Sequence, residues 1–168
     1  ADEVKDAFGG ELSGDLQIDR LVVDDLPHAS VRFTPRWLNL TRDKNTIVLR
    51  ATRDPLVLEN DTLVVPPYVF DLTAPNQLKG AFLLKGTVAR LVRDPELLLG
   101  AELSPIDLGF LAGMIPRVTR AQGTLTGGVR ITGRAKDPDV DGVLRVRGGE
   151  LAIQGVPGTI SGIEMDVA

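Results

Sequence analysis

Apolar and polar residues alternate in short stretches along much of the chain, and Gly, Pro, Asn and Asp separate these stretches. Alternation with a period of two places the apolar side chains on one side of an extended strand, and the separating residues favour turns. The pattern predicts about a dozen strands, each with one apolar face. The residues predicted to form these faces are Ile47, Leu49, Leu56, Leu58, Leu63, Val65, Phe70, Leu72, Phe82, Leu84, Val129, Ile131, Leu144, Val146, Leu151 and Ile153.

The positions between these apolar residues are mostly polar, as at Arg130 and Thr132 or at Arg145 and Arg147. This pattern is typical of an antiparallel sheet with one face in water, whereas a parallel sheet needs crossover helices between its strands. The sequence lacks the repeated helical patterns that such crossovers require. The predicted fold is therefore mainly β, an antiparallel-rich sheet with one short helix.

The one helix is predicted near residues 105–114. Ser104 is a candidate N-cap, Pro105 suits the first helical position, and Asp107 places an acidic residue in the first turn. The apolar residues that follow at helical spacing are Leu108, Leu111 and Ile115. Pro116 is expected to end the helix. We expect this helix to cover one end of a sheet, and a mobile gate is the alternative.

An internal repeat combines a glycine-flanked strand with a basic-Asp-Pro turn. The strands Gly80–Gly86 and Gly127–Gly133 have the same glycine spacing, and the turns Arg93–Pro95 and Lys136–Pro138 follow them. A third such turn, Arg53–Pro55, follows the strand that contains Ile47. Asp and Pro both favour turns, so each copy predicts a hairpin, and the flanking glycines permit bulges and sharp curvature.

This repeat resembles a known family. The segment Gly123–Gly133 and the glycine-flanked strands that begin at Gly142 and Gly148 are similar to the C-terminal repeats of TamB-type, AsmA-like bacterial envelope proteins. Those repeats read glycine, strand, glycine, turn with proline, glycine, strand. The resemblance implies an elongated, curved, taco-like sheet whose apolar residues line a concave groove.

The resemblance covers residues 80–168 best and is thin before residue 45. It implies that residues 1–168 form a single β-rich segment of a larger repetitive protein, with a poorly matched part, 1–45, and a repeat-like part, 46–168. We read the chain as a piece of such a protein, because residues 1–10 lack the basic-then-apolar order of a signal peptide. No apolar run reaches the roughly 20 residues that span a bilayer.

The resemblance also implies a location, a function and partners. The parent protein would be anchored in the inner membrane of a Gram-negative bacterium and would lie in the periplasm. Its groove would hold phospholipid acyl chains and move phospholipid between the inner and outer membranes. A second implied role is that of a scaffold or chaperone for the assembly of outer-membrane β-barrels or for autotransporter secretion, with an Omp85-type barrel protein as the partner.

Composition agrees with an aliphatic surface. Hydrophobic residues make up 43% of the chain and aromatic residues only 4%, so the apolar material is mostly Leu, Val and Ile, which suit acyl chains better than rings. The net charge of −4 and the mixing of Arg with Asp make nucleic acid an unexpected partner. The absence of Cys excludes disulfides, thiol catalysis and Cys-ligated zinc.

Two motifs raise the question of chemistry. Asp137, Asp139 and Asp141 precede Gly142 as in a calcium loop, but position twelve of such a loop would fall on Gly148, where a bidentate Glu is needed. A solvated hairpin is the preferred interpretation. His28 is the only histidine, and its spacing from neighbouring Asp and Ser residues does not indicate a catalytic triad. We therefore predict no enzymatic activity, no metal site and no cofactor.

The apolar faces have an ordinary alternative. In most proteins such strands close on one another as the dry core of a sandwich or barrel. A closed sandwich would be a binding or adhesin module with no room for lipid. The family resemblance favours the open groove over this closed form.

Overall fold

The computed structural model describes residues 9–75, 77–114, 118–155, 158 and 160–167, and for residues 151, 153 and 160–167 it describes the backbone alone. The strands are β1 (Gly9–Arg20), β2 (Ser30–Arg42), β3 (Asn45–Leu49), β4 (Leu56–Glu59), β5 (Thr62–Ala74), β6 (Gln77–Ala89), β7 (Glu96–Asp107), β8 (Val118–Arg134), β9 (Asp137–Ile153) and β10 (Ile160–Val167). A 3₁₀ segment, Val23–His28, joins β1 to β2, and helix α1, Leu108–Met114, follows β7.

All ten strands belong to one antiparallel sheet, in the order β1-β2-β3-β5-β6-β7-β8-β9-β10, with β4 between β2 and β5. When β3 and β4 are counted as one position between β2 and β5, neighbours in the sheet are neighbours in sequence, so the chain runs as a meander without crossovers. The prediction of a mainly β, antiparallel sheet with one short helix is confirmed. In the described part of the chain, β1 pairs only with β2 and β10 only with β9, so the sheet does not close on itself.

Strands β3 and β4 occupy a single position in the sheet. Both run antiparallel to β2 and β5, and they pair with opposite halves of each. Residues 50–55 leave the sheet between them. The Tyr68 hydroxyl donates a hydrogen bond to the carbonyl oxygen of Asp54 at 2.7 Å, and the Arg50 amide donates to the Val69 carbonyl at 2.8 Å. These contacts hold the excursion against β5.

The three Asp-Pro motifs therefore differ. Arg93–Pro95 lies in the connection between β6 and β7, and Asp137 and Pro138 begin β9 directly after the turn at residues 135–136. Both belong to hairpins, as predicted. The hairpin predicted at Arg53–Pro55 is wrong, because the chain continues there in the same direction from β3 into β4.

Helix α1 begins later than predicted. Ser104 and Pro105 belong to β7, which continues through residue 107 because Ile106 pairs with Leu125 on β8 and is buried. Asp107 is the N-cap: its Oδ1 accepts a hydrogen bond of 2.7 Å from the Gly109 amide. Burial and sheet pairing of Ile106 thus outweigh the local capping preference of Ser104. The predicted helical residue Ile115 and the predicted stop at Pro116 lie outside the described residues.

Candidate functional site

The strand register shows which predicted residues share a face, because directly opposed residues of an antiparallel ladder point to the same side. One row joins Leu49, Phe70, Phe82 and Leu103, and the next joins Tyr68, Leu84, Ala101 and Val129. The predicted residues that lie on this side, here called the apolar face, are Ile47, Leu49, Leu56, Leu58, Leu63, Val65, Phe70, Leu72, Phe82, Leu84, Val129, Ile131, Leu144 and Val146.

The remaining two predicted residues, Leu151 and Ile153, pair with Ala121 and Val118 through β9, but their side chains lie outside the described part of the structure. The sequence analysis missed the contribution of β7. Leu97, Leu99 and Leu103 of that strand join the apolar face, since they pair with Val88, Gly86 and Phe82 on β6. Leu98 interrupts the alternation with a run of three leucines, which hid the period-two signal.

Helix α1 covers one end of the apolar face. Phe110 is only 3% exposed and clusters with the buried Leu72 and Ile106. The half-buried residues packed around this cluster are Ile47, Phe82, Leu103, Leu111, Met114 and Leu125. We call these nine residues the covered end. The predicted helix that covers one end of the sheet is therefore observed.

Polar contacts attach α1 at both of its ends. Arg42 Nη1, on β2, donates a hydrogen bond of 2.6 Å to the carbonyl oxygen of Met114 at the last turn. At the first turn, Lys79 Nζ lies 3.3 Å from Asp107 Oδ2. A cation at the carboxyl end and a carboxylate at the amino end both interact favourably with the helix dipole and stabilise the helix. The helix is thus tied to β2 and β6 as well as packed on the sheet.

The middle of the apolar face is aromatic and close-packed. The rings of Phe70 and Phe82 are stacked, with centroids 4.9 Å apart and planes 16° from parallel. Beside them the Tyr68 side chain is buried and directs its hydroxyl to the Asp54 carbonyl. Burial, and next the charge of Asp54, raise the pKa of Tyr68 above its ordinary value.

Among the described residues, no α-helix packs on the other end of the face. In one row across the sheet, Ile18, Val31, Leu58, Leu63, Val88 and Leu97 oppose one another, and a neighbouring row contains Leu99, Ile131 and Val140. We call these nine residues the uncovered end. Most are half-buried, whereas Ile18 and Val140 at its margins are exposed, Val140 to 64%. Aliphatic side chains thus remain accessible to a ligand at this end.

The residues considered for chemistry lie elsewhere. His28 is exposed at the end of the 3₁₀ segment, with its Nδ1 2.5 Å from Asp25 Oδ1. This hydrogen bond, aided by Arg20, lowers the pKa of Asp25. Asp137, Asp139 and Asp141 follow one another along the extended strand β9 at intervals of about 7 Å, a layout that does not wrap an ion. Over the described residues, no group of three or more His, Asp or Glu side chains is placed to hold a metal.

Helix α1 is too short to cross a bilayer, and the described residues contain no other helix that could do so. Comparison of the chain with protein-family models, with curated proteins and with solved structures finds no match. The likeness to TamB-type proteins therefore rests on the glycine, strand and turn pattern alone.

Proposed function

We propose that this chain is a non-enzymatic, lipid-handling segment whose apolar face binds phospholipid acyl chains. In this proposal it belongs to a larger protein, anchored in the inner membrane of a Gram-negative bacterium, that passes phospholipid through the periplasm between the two membranes. The observation that supports it is the continuous apolar face. Its rows cross strand after strand in register, and no α-helix in the described part of the chain packs on its uncovered end.

Hydrocarbon transfer fits this surface energetically. Burying a methylene group is worth about 0.8 kcal/mol, so an acyl chain laid along the rows recovers much of what it loses on leaving a bilayer. Aliphatic rows such as Leu63, Val88 and Leu97 offer similar contacts at successive positions. The chain can therefore slide from row to row against small barriers.

The proposal requires a curved sheet with the apolar face on its concave side, and glycines on this face can supply the bends. Gly86 and Gly142 lie on rows of this face and have φ angles of 141° and 153°, in a region that favours glycine. Glycine kinks and bulges of this kind bend a sheet. A bent sheet would surround an acyl chain on more than one side.

The test uses two exposed valines on the same strand. Val140 lies on the apolar face and Val143 on the opposite face, and they are 64% and 41% exposed. Because both are exposed, neither Val140→Asp nor Val143→Asp should unfold the chain, which circular dichroism checks. Binding of a spin-labelled phospholipid should weaken by about tenfold in Val140→Asp, since a charge would contact the acyl chain, and should stay unchanged in Val143→Asp.

Equal phospholipid binding by the two variants, or no binding by the unmodified chain, would contradict the proposal. Leu144 follows Val143 in sequence but points to the apolar face, where it is half-buried. Leu144→Asp should therefore abolish phospholipid binding. Its fold is checked in the same way.

A second candidate function has its own supporting observation. Among the described residues β1 pairs only with β2, which leaves its other edge open, and its Leu12, Leu16 and Ile18 are all exposed. Such an edge can add a further strand by main-chain hydrogen bonds, as a scaffold for outer-membrane β-barrel assembly or autotransporter secretion would require. Cysteine crosslinking from position 16 to barrel strands, with no lipid bound to the apolar face, would favour this role.

A further inference from the structure

The face of the sheet opposite the apolar face carries a shallow cleft of about 590 Å³. It lies over β5, β6, β7 and β8, beside a bulge at Pro66 and Pro67, where β5 has one residue more than β6. Proline has no amide hydrogen to donate to the ladder, and it is tolerated at a bulge because no ladder hydrogen bond is required there. The bulge forms one wall of the cleft.

The floor of the cleft places a glycine between two cations. Lys85, Gly100 and Arg130 are directly opposed on β6, β7 and β8, so the two basic residues flank Gly100 about 10 Å apart. A Cβ atom on Gly100 would meet nothing within 4 Å, which shows open space above the backbone. Within the described residues, neither Lys85 nor Arg130 forms an ion pair or a side-chain hydrogen bond.

The rows on either side give the cleft two different margins. On one side, Val64 and Leu98 flank Thr87 and are 43% and 57% exposed, so they form an apolar margin on a largely polar face. On the other side lies the exposed carboxylate of Glu102. The charged lining side chains are Lys85, Arg130 and Glu102, and Asp141 on β9 directly opposes Arg130 at the border of the cleft.

We propose that this cleft binds an amphiphile with a single anionic head and an aliphatic chain, specifically a fatty-acid carboxylate. The carboxylate lies over Gly100, where Lys85 approaches from one side and Arg130 supplies a planar donor pair from the other. The chain runs along Val64 and Leu98. The two cations attract one carboxylate, and the neighbouring carboxylates of Glu102 and Asp141 disfavour a second negative charge. This site does not depend on the apolar face, because the sheet separates the two.

The experiment titrates the ¹⁵N-labelled chain with sodium decanoate below its micelle concentration and follows amide chemical shifts. We expect the largest shifts at Lys85, Gly100 and Arg130. The Cβ atom added by Gly100→Val enters open space, so the fold should persist while the side chain obstructs the cleft and decanoate binds about tenfold more weakly. Arg130→Gln should lose a similar factor. Arg32→Gln, an exposed arginine on the same face outside the cleft, is the matched control and should bind normally.

Two further ligands and one variant separate the outcomes. Decanol should bind at least about tenfold more weakly than decanoate, because it lacks the charge. Equal binding of decanol would overturn the proposal, because it would show an apolar surface that does not recognise the carboxylate. Equal binding of inorganic phosphate would also overturn it, because it would show an anion site that does not recognise the aliphatic chain. Val140→Asp should leave the shifts at Gly100 unchanged. Loss of those shifts in Val140→Asp would mean that decanoate acts through the apolar face and would also overturn it.

Discussion

Both ends of the apolar face consist of apolar side chains, but within the described residues only one of them is covered by a helix. At the covered end, Phe110 and its helix bury Leu72 and Ile106 almost completely, whereas at the uncovered end Leu63 and Ile131 stay partly accessible. The difference lies in the connections. The β7–β8 connection is long enough to form α1, while the β4–β5 and β8–β9 connections at the other end are two-residue turns. The longer β1–β2 and β6–β7 connections, residues 21–29 and 90–95, also lie at that end, so the packing of α1 and not loop length alone decides which part of the face is covered.

The largest expected effect on stability comes from a substitution that removes the main contact between α1 and the covered end. Phe110→Ala should lower the free energy of unfolding by about 4 kcal/mol, because it leaves a cavity in a cluster with almost no exposed surface. Val140→Ala at the uncovered end should change it by at most about 0.5 kcal/mol. Urea denaturation followed by circular dichroism measures both. Similar losses in the two variants would mean that the two ends are packed alike.

A backbone effect should come next. Gly86 has a φ of 141°, which other residues rarely adopt, and a Cβ atom added there would clash with the carbonyl oxygen of Leu98. Gly86→Ala should therefore lower the free energy of unfolding by about 3 kcal/mol. Gly100→Ala, one strand away, is the control and should not destabilise, since its Cβ enters open space. Thermal unfolding of the two variants compares them. An unaffected Gly86→Ala would show that the bend at this position is not required.

The cap of α1 should have a moderate effect. Asp107→Ala removes the hydrogen bond to the Gly109 amide and the ion pair with Lys79, and should cost about 1 kcal/mol of the free energy of unfolding. Ser104→Ala should cost little, because Ser104 is an exposed strand residue. Denaturation curves decide between them. A larger loss for Ser104→Ala would favour the helix start that the sequence predicts.

The smallest effect concerns the exposed cluster at the β1–β2 connection. The pKa of Asp25 is lowered in the folded chain, first by its hydrogen bond with His28 and then by Arg20. This contact therefore favours folding above the unfolded pKa of Asp25, and the effect is lost as pH falls through the folded value. NMR titration should give an Asp25 pKa below 3.8, and His28→Ala should raise it. An unchanged pKa in that variant would exclude His28 as the cause.

Local alternation was sufficient to predict much of the sheet. Phe70, Leu72, Phe82 and Leu84 share one face because each strand alternates regularly, and no long-range information is needed for that. Features that depend on tertiary pairing were not predictable. Asp107 replaces Ser104 as the helix cap because Ile106 is held in the sheet by Leu125.

The excursion between β3 and β4 is a second case of this kind. The Asp-Pro pair at residues 54–55 has the local preference of a hairpin turn, but the Tyr68 hydroxyl holds the Asp54 carbonyl beside β5. That partner is 14 residues away in sequence, so local turn propensity cannot reveal it. The leucine run of β7 likewise needed the register to show which residues join the apolar face.

The central claim is that lipid chains occupy the uncovered end of the apolar face. Photocrosslinking with a phospholipid that carries a photoreactive group in its acyl chain, followed by peptide mass spectrometry, tests this directly. We predict crosslinks at Leu58, Leu63 and Ile131, which lie on adjoining rows of that end. Crosslinks concentrated at Val143, which lies on the opposite face outside the cleft, with none at Leu58, Leu63 or Ile131, would contradict this claim.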